Sequence, residues 1–483
     1  MADIKQPSVP LADRPSVLLK LTYGFGAAAY GVKNNGFDYF LLLFYGTVIG
    51  LEPGLVGLAI LIALVFDAFS DPLVGYWSDN LRSRWGRRHP FMYAAALPVG
   101  LSYFLLWNPP VLSQTGLFVY LTVLAVLIRT FITFYETPSS ALLPELSSDY
   151  QERTSLQSYR IFFAWIIGNS MTLLMFGVIL TGPLGIQDRS GFATYGIIAS
   201  VLIVLTILVS AIGTHHRIPT LSAPEPATQP FSLGRLMREI FGILRERSFV
   251  ALFVSTVLFS VALGLEASLS ILMMSSFWGL SQIQIFGVSI VVMVSALLAF
   301  ATAPKASSVW GKKRAAIILG VVAVGIQPGL YALRLADLMP ENGSPILYPI
   351  LLTILTFTLA LVIAVQIISY AMVADLVEAN QVKTGRRNEG VYYAAVTFTR
   401  KTTQGIGVLL AGLILSTIAF PEGADPSDVP AQTLWSLGAL YAPTLFILYC
   451  LGIWSLSRYR IDEEQHQANL DTLSARAENS SVI

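Results

Sequence analysis

Asp67 and Asp71 lie one helical turn apart in the apolar stretch Leu64-Val-Phe-Asp-Ala-Phe-Ser-Asp-Pro-Leu-Val-Gly75. On a helix they share a face, with about 6 Å between Cβ atoms. A carboxylate inside hydrocarbon costs on the order of 3 kcal/mol unless a partner or water meets it. A pair of them predicts a binding site for something positive. Their oxygens suit a hard ion such as Na⁺, and they also suit a proton. At about 1.5 Å per residue, Asp71 stands about 12 Å from a cytoplasmic edge at Asp79, and Glu136 about 13 Å from one at Glu145. By the same rule Arg160 lies about 10 Å beyond Arg153 and Lys401 about 18 Å beyond Glu389. Asp67 is one turn deeper than Asp71. Three carboxylates and two cations thus share one stratum. They predict a cation site at Asp67, Asp71 and Glu136, balanced by Arg160 and Lys401. The alternative is a set of internal salt bridges tying helices together.

Further polar residues are candidates around that stratum. Lys33, Asn34, Asn35 and Asp38 crowd one apolar stretch and must face protein or water, which makes them candidate solute contacts. Trp165, in the middle of another stretch, can stack on a sugar ring. Glu266 reads as a gate residue or an interfacial carboxylate. Arg129 and Arg400 read as structural or snorkelling residues, and Trp107, Trp278 and Trp435 fit an aromatic belt.

The elements that position these residues are membrane helices. The 483 residues are 54% hydrophobic and 12% charged, about half the charged fraction of soluble domains. Apolar runs of membrane-spanning length recur. They predict an all-α integral membrane protein with twelve spans, at 18–45, 55–79, 90–108, 116–145, 155–181, 191–213, 249–278, 283–303, 315–335, 346–375, 388–417 and 432–456. Lys and Arg concentrate in alternate loops, from Arg82 to Arg88, Arg217 to Arg247, Lys305 to Arg314 and Lys383 to Arg387. That bias places both termini in the cytoplasm. The polar start, Met1 to Ser16, lacks the pattern of a signal peptide. Cys450 is the only cysteine, and the 4 histidines have no zinc-ligand spacing, so neither disulfides nor a metal cluster is expected. The net charge of +1 and the absence of a basic stripe argue against nucleic acid. The intramembrane acids lack a histidine or serine partner, which argues against a membrane enzyme.

The spans divide six and six. Residues 1–217 form the first half and 248–460 the second. Residues 218–247 link them, as a Pro/Ala/Ser/Thr-rich stretch followed by an amphipathic helix. Residues 461–483 form a polar cytoplasmic tail. A weak repeat relates the halves: Trp85-Gly86-Arg87-Arg88 matches Trp310-Gly311-Lys312-Lys313, and the end of the fourth span at Glu145 matches the end of the tenth at Asp375. Two similar six-helix halves are the layout of the major facilitator superfamily.

The motifs resemble the glycoside–pentoside–hexuronide cation symporter family, to which the melibiose permease belongs. The resemblance rests first on Asp67-Ala-Phe-Ser-Asp71-Pro72-Leu-Val-Gly75 with Ser78-Asp79 and Ser83-Arg84-Trp85-Gly86-Arg87-Arg88-His89-Pro90. Tyr135-Glu136-Thr137-Pro138, Glu145-Leu146, Glu152-Arg153, Tyr159-Arg160, Ala374-Asp375, Lys383-Thr384-Gly385-Arg386-Arg387, Glu389-Gly390 and Lys401 continue it. It implies the major facilitator fold and cation-coupled symport, with Asp67 and Asp71 at the coupling ion. It also implies that Glu136, Arg160 and Lys401 bind solute. Gly31 and Ser140 stand where that permease has a sugar-binding aspartate and a stacking tryptophan. The related sodium-dependent lysophosphatidylcholine transporters share the paired aspartates, so an amphiphilic lipid fits equally well.

The expectation is therefore a secondary active symporter of the bacterial inner membrane. It carries a glycoside-like or lysolipid-like solute with Na⁺ in preference to H⁺, as a monomer and with no cofactor beyond the coupling ion. A passive facilitator or scramblase is the rival. Asp79, Arg84, Arg87, Glu145, Arg153, Asp375 and Arg386 are expected to form a cytoplasmic gate of ion pairs.

Overall fold

The computed structural model is helical throughout its described residues, which are 15–147, 150–220, 247–384, 389–421 and 428–460 with isolated positions beyond. The helices are α1 (Val17–Phe25), α2 (Ala27–Asn35), α3 (Leu41–Leu43), α4 (Pro53–Asn80), α5 (His89–Leu106), α6 (Gln114–Leu146), α7 (Tyr150–Gly177) and α8 (Arg189–His215). They continue as α9 (Arg247–Leu272), α10 (Gln282–Trp310), α11 (Lys312–Leu335), α12 (Leu347–Thr384), α13 (Glu389–Thr417) and α14 (Ala431–Ser457). Each of the twelve expected spans falls on one of these helices or on the continuous run from α1 to Val48. Ten helices are long and apolar enough to cross a membrane by length and composition. The first span is not among them because π-helical turns at Gly36–Phe40 and Phe44–Val48 break it into short pieces. The eleventh is not, because its described apolar part is only Thr403–Thr417.

The chain forms two compact units, Met1–Phe231 and Ser232–Ile483. The expected linker and its amphipathic helix fall almost entirely outside the described residues, as does the tail. Each unit has its own packing, and the two follow one scheme. In the first, α2 packs on α7, α4 on α6, α5 on α6 and α8, and α1 on α8. In the second, α9 packs on α13, α10 on α12, α11 on α12 and α14, and α9 on α14. Numbered by span, first meets fifth, second meets fourth, and third meets sixth in both. The first–fifth contact is close enough to exclude a side chain in each. A Cβ on Gly31 would collide with the Ala164 carbonyl, and one on Gly407 with the Val261 carbonyl. Small residues let membrane helices approach in this way.

Details repeat as well. The first span of each unit ends in a π turn, closed by Leu51 N to Tyr45 O at 2.8 Å in one and Leu280 N to Met274 O at 2.9 Å in the other. The residues before these donors, Gly50 and Gly279, have φ of 80° and 61°, a region that favours glycine.

Trp107 and Trp278 are not belt residues. They are 1% and 3% exposed, because both face inward into aromatic clusters. Trp107 stacks on Phe192 at 6.0 Å, and Trp278 packs on Tyr331 at 5.6 Å. Trp435 is exposed.

Replacing Gly407 by Leu forces α9 and α13 apart and should lower stability by about 1–3 kcal/mol, the usual cost of overpacking. The melting temperature in detergent is expected to fall for Gly407→Leu and to hold for Gly325→Leu, whose surroundings are open.

Candidate functional site

The site lies in the first unit, where α6 presents a polar stripe. Arg129, Thr133, Glu136 and Ser140 recur at intervals of four, three and four residues, which places them on one face of a helix. The upper part of the stripe meets the acid pair of α4. Asp67 is 2% exposed and Asp71 is half-buried. Arg129 Nη1 lies 3.3 Å from Asp67 Oδ2, and its guanidinium stands over the Phe37 ring at 4.9 Å. Thr133 Oγ1 lies 2.9 Å from Asp67 Oδ1 and 2.8 Å from Asp71 Oδ1. Three oxygens from three side chains therefore converge within the buried contact of α4 and α6. Pro72 adds a consequence of its own. It has no N–H to give to the carbonyl one turn back, at Ala68, so a backbone acceptor is released beside the acids.

A threonine hydroxyl carries one hydrogen. Thr133 donates to one of the two aspartates, and its contact with the other brings two lone pairs together. A cation or a proton shared among the three oxygens removes that conflict.

One to two turns further along α6, a second network forms with α7. Arg160 is 4% exposed. Its Nη2 donates to Glu136 Oε1 at 2.6 Å and to Ser140 Oγ at 2.8 Å, and its Nη1 donates to Ser139 Oγ at 2.8 Å. The Ser140 hydroxyl in turn donates to Glu136 Oε1 at 3.2 Å. Tyr23 of α1 lies under the guanidinium at 5.2 Å and donates to the Ser139 carbonyl at 3.0 Å. Glu136 Oε2 is buried and has no hydrogen-bond partner among the described residues. Such an acceptor is costly to leave unmet and suits a donor group of a solute.

The structure refines several expectations. The cation that faces Asp67 is Arg129, a partner rather than a snorkelling residue. Arg160 balances Glu136. Lys33 is 2% exposed, with its ammonium 4.8 Å from the Tyr30 ring and 5.8 Å from the Phe37 ring. Asn35 bridges α2 to α7, donating to Thr172 Oγ1 at 2.9 Å. Asn34 and Asp38 are half-buried, and Trp165 is exposed. The Lys401 side chain lies outside the described residues.

At the other end of α4, ion pairs tie the loop before α5 to the end of α6. Arg87 and Arg88 both pair with Glu145, the latter at 2.8 Å, and Arg88 reaches Asp79 at 3.2 Å. Lys20 pairs with Glu152 at 2.5 Å. In the second unit Lys312 pairs with Asp375 at 2.5 Å. Gly86 and Gly311, each preceding a basic residue of these pairs, have φ of 72° and 73°. Arg87–Glu145 and Lys312–Asp375 are the same bond made by the two copies of the repeat. Arg84 does not join them. It is exposed and stacks on Trp85 at 5.4 Å, because it points off the turn away from Glu145, and Arg88 takes its place. The Arg153 side chain and Arg386 lie outside the described residues.

Thr133 and Arg129 are the functional residues that reading for charge alone missed. The helical period on α6, followed back from Glu136, leads to both.

A buried charge constellation on a repeated helical scaffold defines a membrane transporter, and comparison with known proteins narrows the class. A profile described as "MFS/sugar transport protein" matches residues 22–463. The isoprimeverose transporter of Lactiplantibacillus pentosus is 22% identical, over 96% of this chain and 92% of its own. The sodium-dependent lysophosphatidylcholine symporter 1 of Gallus gallus is 22% identical, over 97% of this chain and 91% of its own. Among solved structures, a mutant of the nucleoside transporter NupG superposes with a TM-score of 0.62 at 14% identity, covering 91% of this chain and 99% of that one. It shares the fold. The chain belongs to the MFS/sugar transport protein family, a family of transporters and not of enzymes.

Removing Arg129 strands a buried carboxylate. Arg129→Leu is expected to destabilise the protein by about 3–5 kcal/mol, and adding Asp67→Asn should recover much of that loss. A double-mutant cycle on thermal stability in detergent measures both effects.

Proposed function

We propose that this protein is a cation-coupled symporter whose ion site is Asp67, Asp71 and Thr133, with Na⁺ preferred over H⁺. The single observation behind the proposal is the Thr133 hydroxyl lying within 2.9 Å of an oxygen on each acid, a cluster with more acceptors than hydrogens. Carboxylate and hydroxyl oxygens form a hard donor set suited to Na⁺. Glu136 and Arg160 then form the solute subsite, with Lys401 as a further contact from the second unit.

Coupling follows from the geometry of α6. Thr133 and Glu136 are three residues apart on one face, so a cation that draws in Asp67, Asp71 and Thr133 also sets the turn that carries Glu136. Without the ion, an unmatched charge must be carried through a low-dielectric interior during reorientation, at a cost of several kcal/mol. With ion and solute bound, that barrier falls, and solute moves down the cation gradient by alternating access. Glu136 Oε2 accepts a hydroxyl or a cationic headgroup equally well. A glycoside-like solute is one reading. A lysolipid is the other, favoured by the chicken symporter's similarity along nearly the whole chain and by Gly31 and Ser140 in place of sugar-binding side chains. The inner membrane, with both termini cytoplasmic, is the location that the loop charges support.

Proteoliposomes loaded against a Na⁺ or H⁺ gradient test this reading, with a panel of labelled glycosides in one arm and a labelled lysolipid in the other. Accumulation above equilibrium is expected only with the gradient, and in one arm only. Thr133→Ala should raise the Na⁺ concentration for half-maximal uptake by about tenfold, the loss of one buried hydrogen bond to a charged group. Undiminished accumulation by both Asp67→Asn and Asp71→Asn overturns the assignment.

A further inference from the structure

The second unit holds a carboxyl group that this mechanism leaves unused. Glu266 of α9 is half-buried. Tyr449 of α14 donates its hydroxyl to Glu266 Oε2 at 2.7 Å, and Gln327 Nε2 of α11 donates to Oε1. Both carboxylate oxygens are thus held by neutral donors, brought from two other helices. No ion pair to Glu266 forms among the described residues. The described titratable groups that face it are tyrosines: Tyr449 and Tyr441 from α14 and Tyr331 from α11. On α13, which also packs on α9, the side chains of Arg400 and Lys401 lie outside the described residues. From α12, the nearby polar group is the uncharged Gln366.

Gln327 and Tyr449 also form the wall of a cavity of about 40 Å³, with Gln366 across from them and Phe259, Leu263 and Val324 among the apolar lining. A cavity needs about 10–15 Å³ by this measure, and polar partners, to hold a water. This one has both.

We propose that Glu266 is a proton-binding site of the second unit, distinct from the acid pair of α4, and that water in the Gln327–Tyr449–Gln366 cavity loads and unloads it. The chemistry around the carboxyl fits both of its forms. Glutamine offers a donor and an acceptor, and a tyrosine hydroxyl can do either. When a hydronium ion gives its proton to one carboxylate oxygen and leaves as water, the partner on that oxygen turns from donor to acceptor. Gln327 does so by rotating its amide, and Tyr449 by rotating its hydroxyl. No other group gains or loses a proton. A metal ion fits poorly, because such ions take about six oxygen ligands. Here both carboxylate oxygens already receive hydrogen bonds, and most of the neighbouring wall is hydrocarbon.

The proposal stands apart from the Na⁺ site and is tested without solute. Infrared difference spectra of the purified protein in lipid nanodiscs, recorded across a pH titration, report the C=O stretch of carboxylic acids as they form. Wild type and the Asp67→Asn/Asp71→Asn double variant should both show a band that Glu266→Gln lacks. Tyr449→Phe removes a donor to the carboxylate, and it should move the midpoint of that band to higher pH by about one unit, a tenfold gain in proton affinity. A Glu266→Gln spectrum identical to wild type overturns the proposal. If that variant does not fold, Tyr449→Phe and Gln327→Leu decide, and an unmoved midpoint in both overturns it equally.

Discussion

Charge inside a low-dielectric slab has to be matched where it stands, and that requirement organises the first unit. Asp67 cannot remain buried beside Asp71 without help. The help comes from α6, which places Arg129 and Thr133 one turn apart against the two acids. The packing of α4 on α6 is therefore fixed by electrostatics as much as by shape. The same helix then carries Glu136 to Arg160, so one polar stripe serves two sites. Each site is nearly satisfied by the protein. What remains, a hydroxyl with one hydrogen between two acids and a buried oxygen with no donor, is what ligands can complete.

The second unit repeats the scaffold and not the chemistry. Its helices pair in the same order, its first span ends in the same π turn, and Lys312–Asp375 stands in for Arg87–Glu145. Its interior carboxyl, Glu266, is met by neutral donors, whereas Asp67 is met by an arginine. A guanidinium fixes a neighbouring acid as an anion. An amide and a phenol allow it either form. The difference in partner type separates an acid held charged from one free to exchange a proton.

Much of this was legible in the chain. The apolar runs mark each helix, because a span must be about 20 residues of low polarity whatever its neighbours. The turn spacing of Asp67 and Asp71 exposes a site, because intramembrane carboxylates are rare without one. The short repeat ending in Arg87 and Lys312 marks where equivalent ion pairs form. Other features were not legible. Arg129 lies 62 positions from Asp67, and a charge near a span end looks the same whether it snorkels or pairs. Trp107 and Trp278 sit where belt residues sit, but depth along a helix does not tell which face is turned inward.

The sequence by itself therefore determined what has to be inside the membrane and which residues cannot be there alone, since both follow from transfer energies of single side chains. Only the tertiary structure decided who meets whom: Arg129 with Asp67, Thr133 with both acids, Arg88 in the place of Arg84, and Gln327 with Tyr449 around Glu266. Those choices depend on the rotation of each helix about its axis and on its neighbours, and these are set by packing summed over many residues.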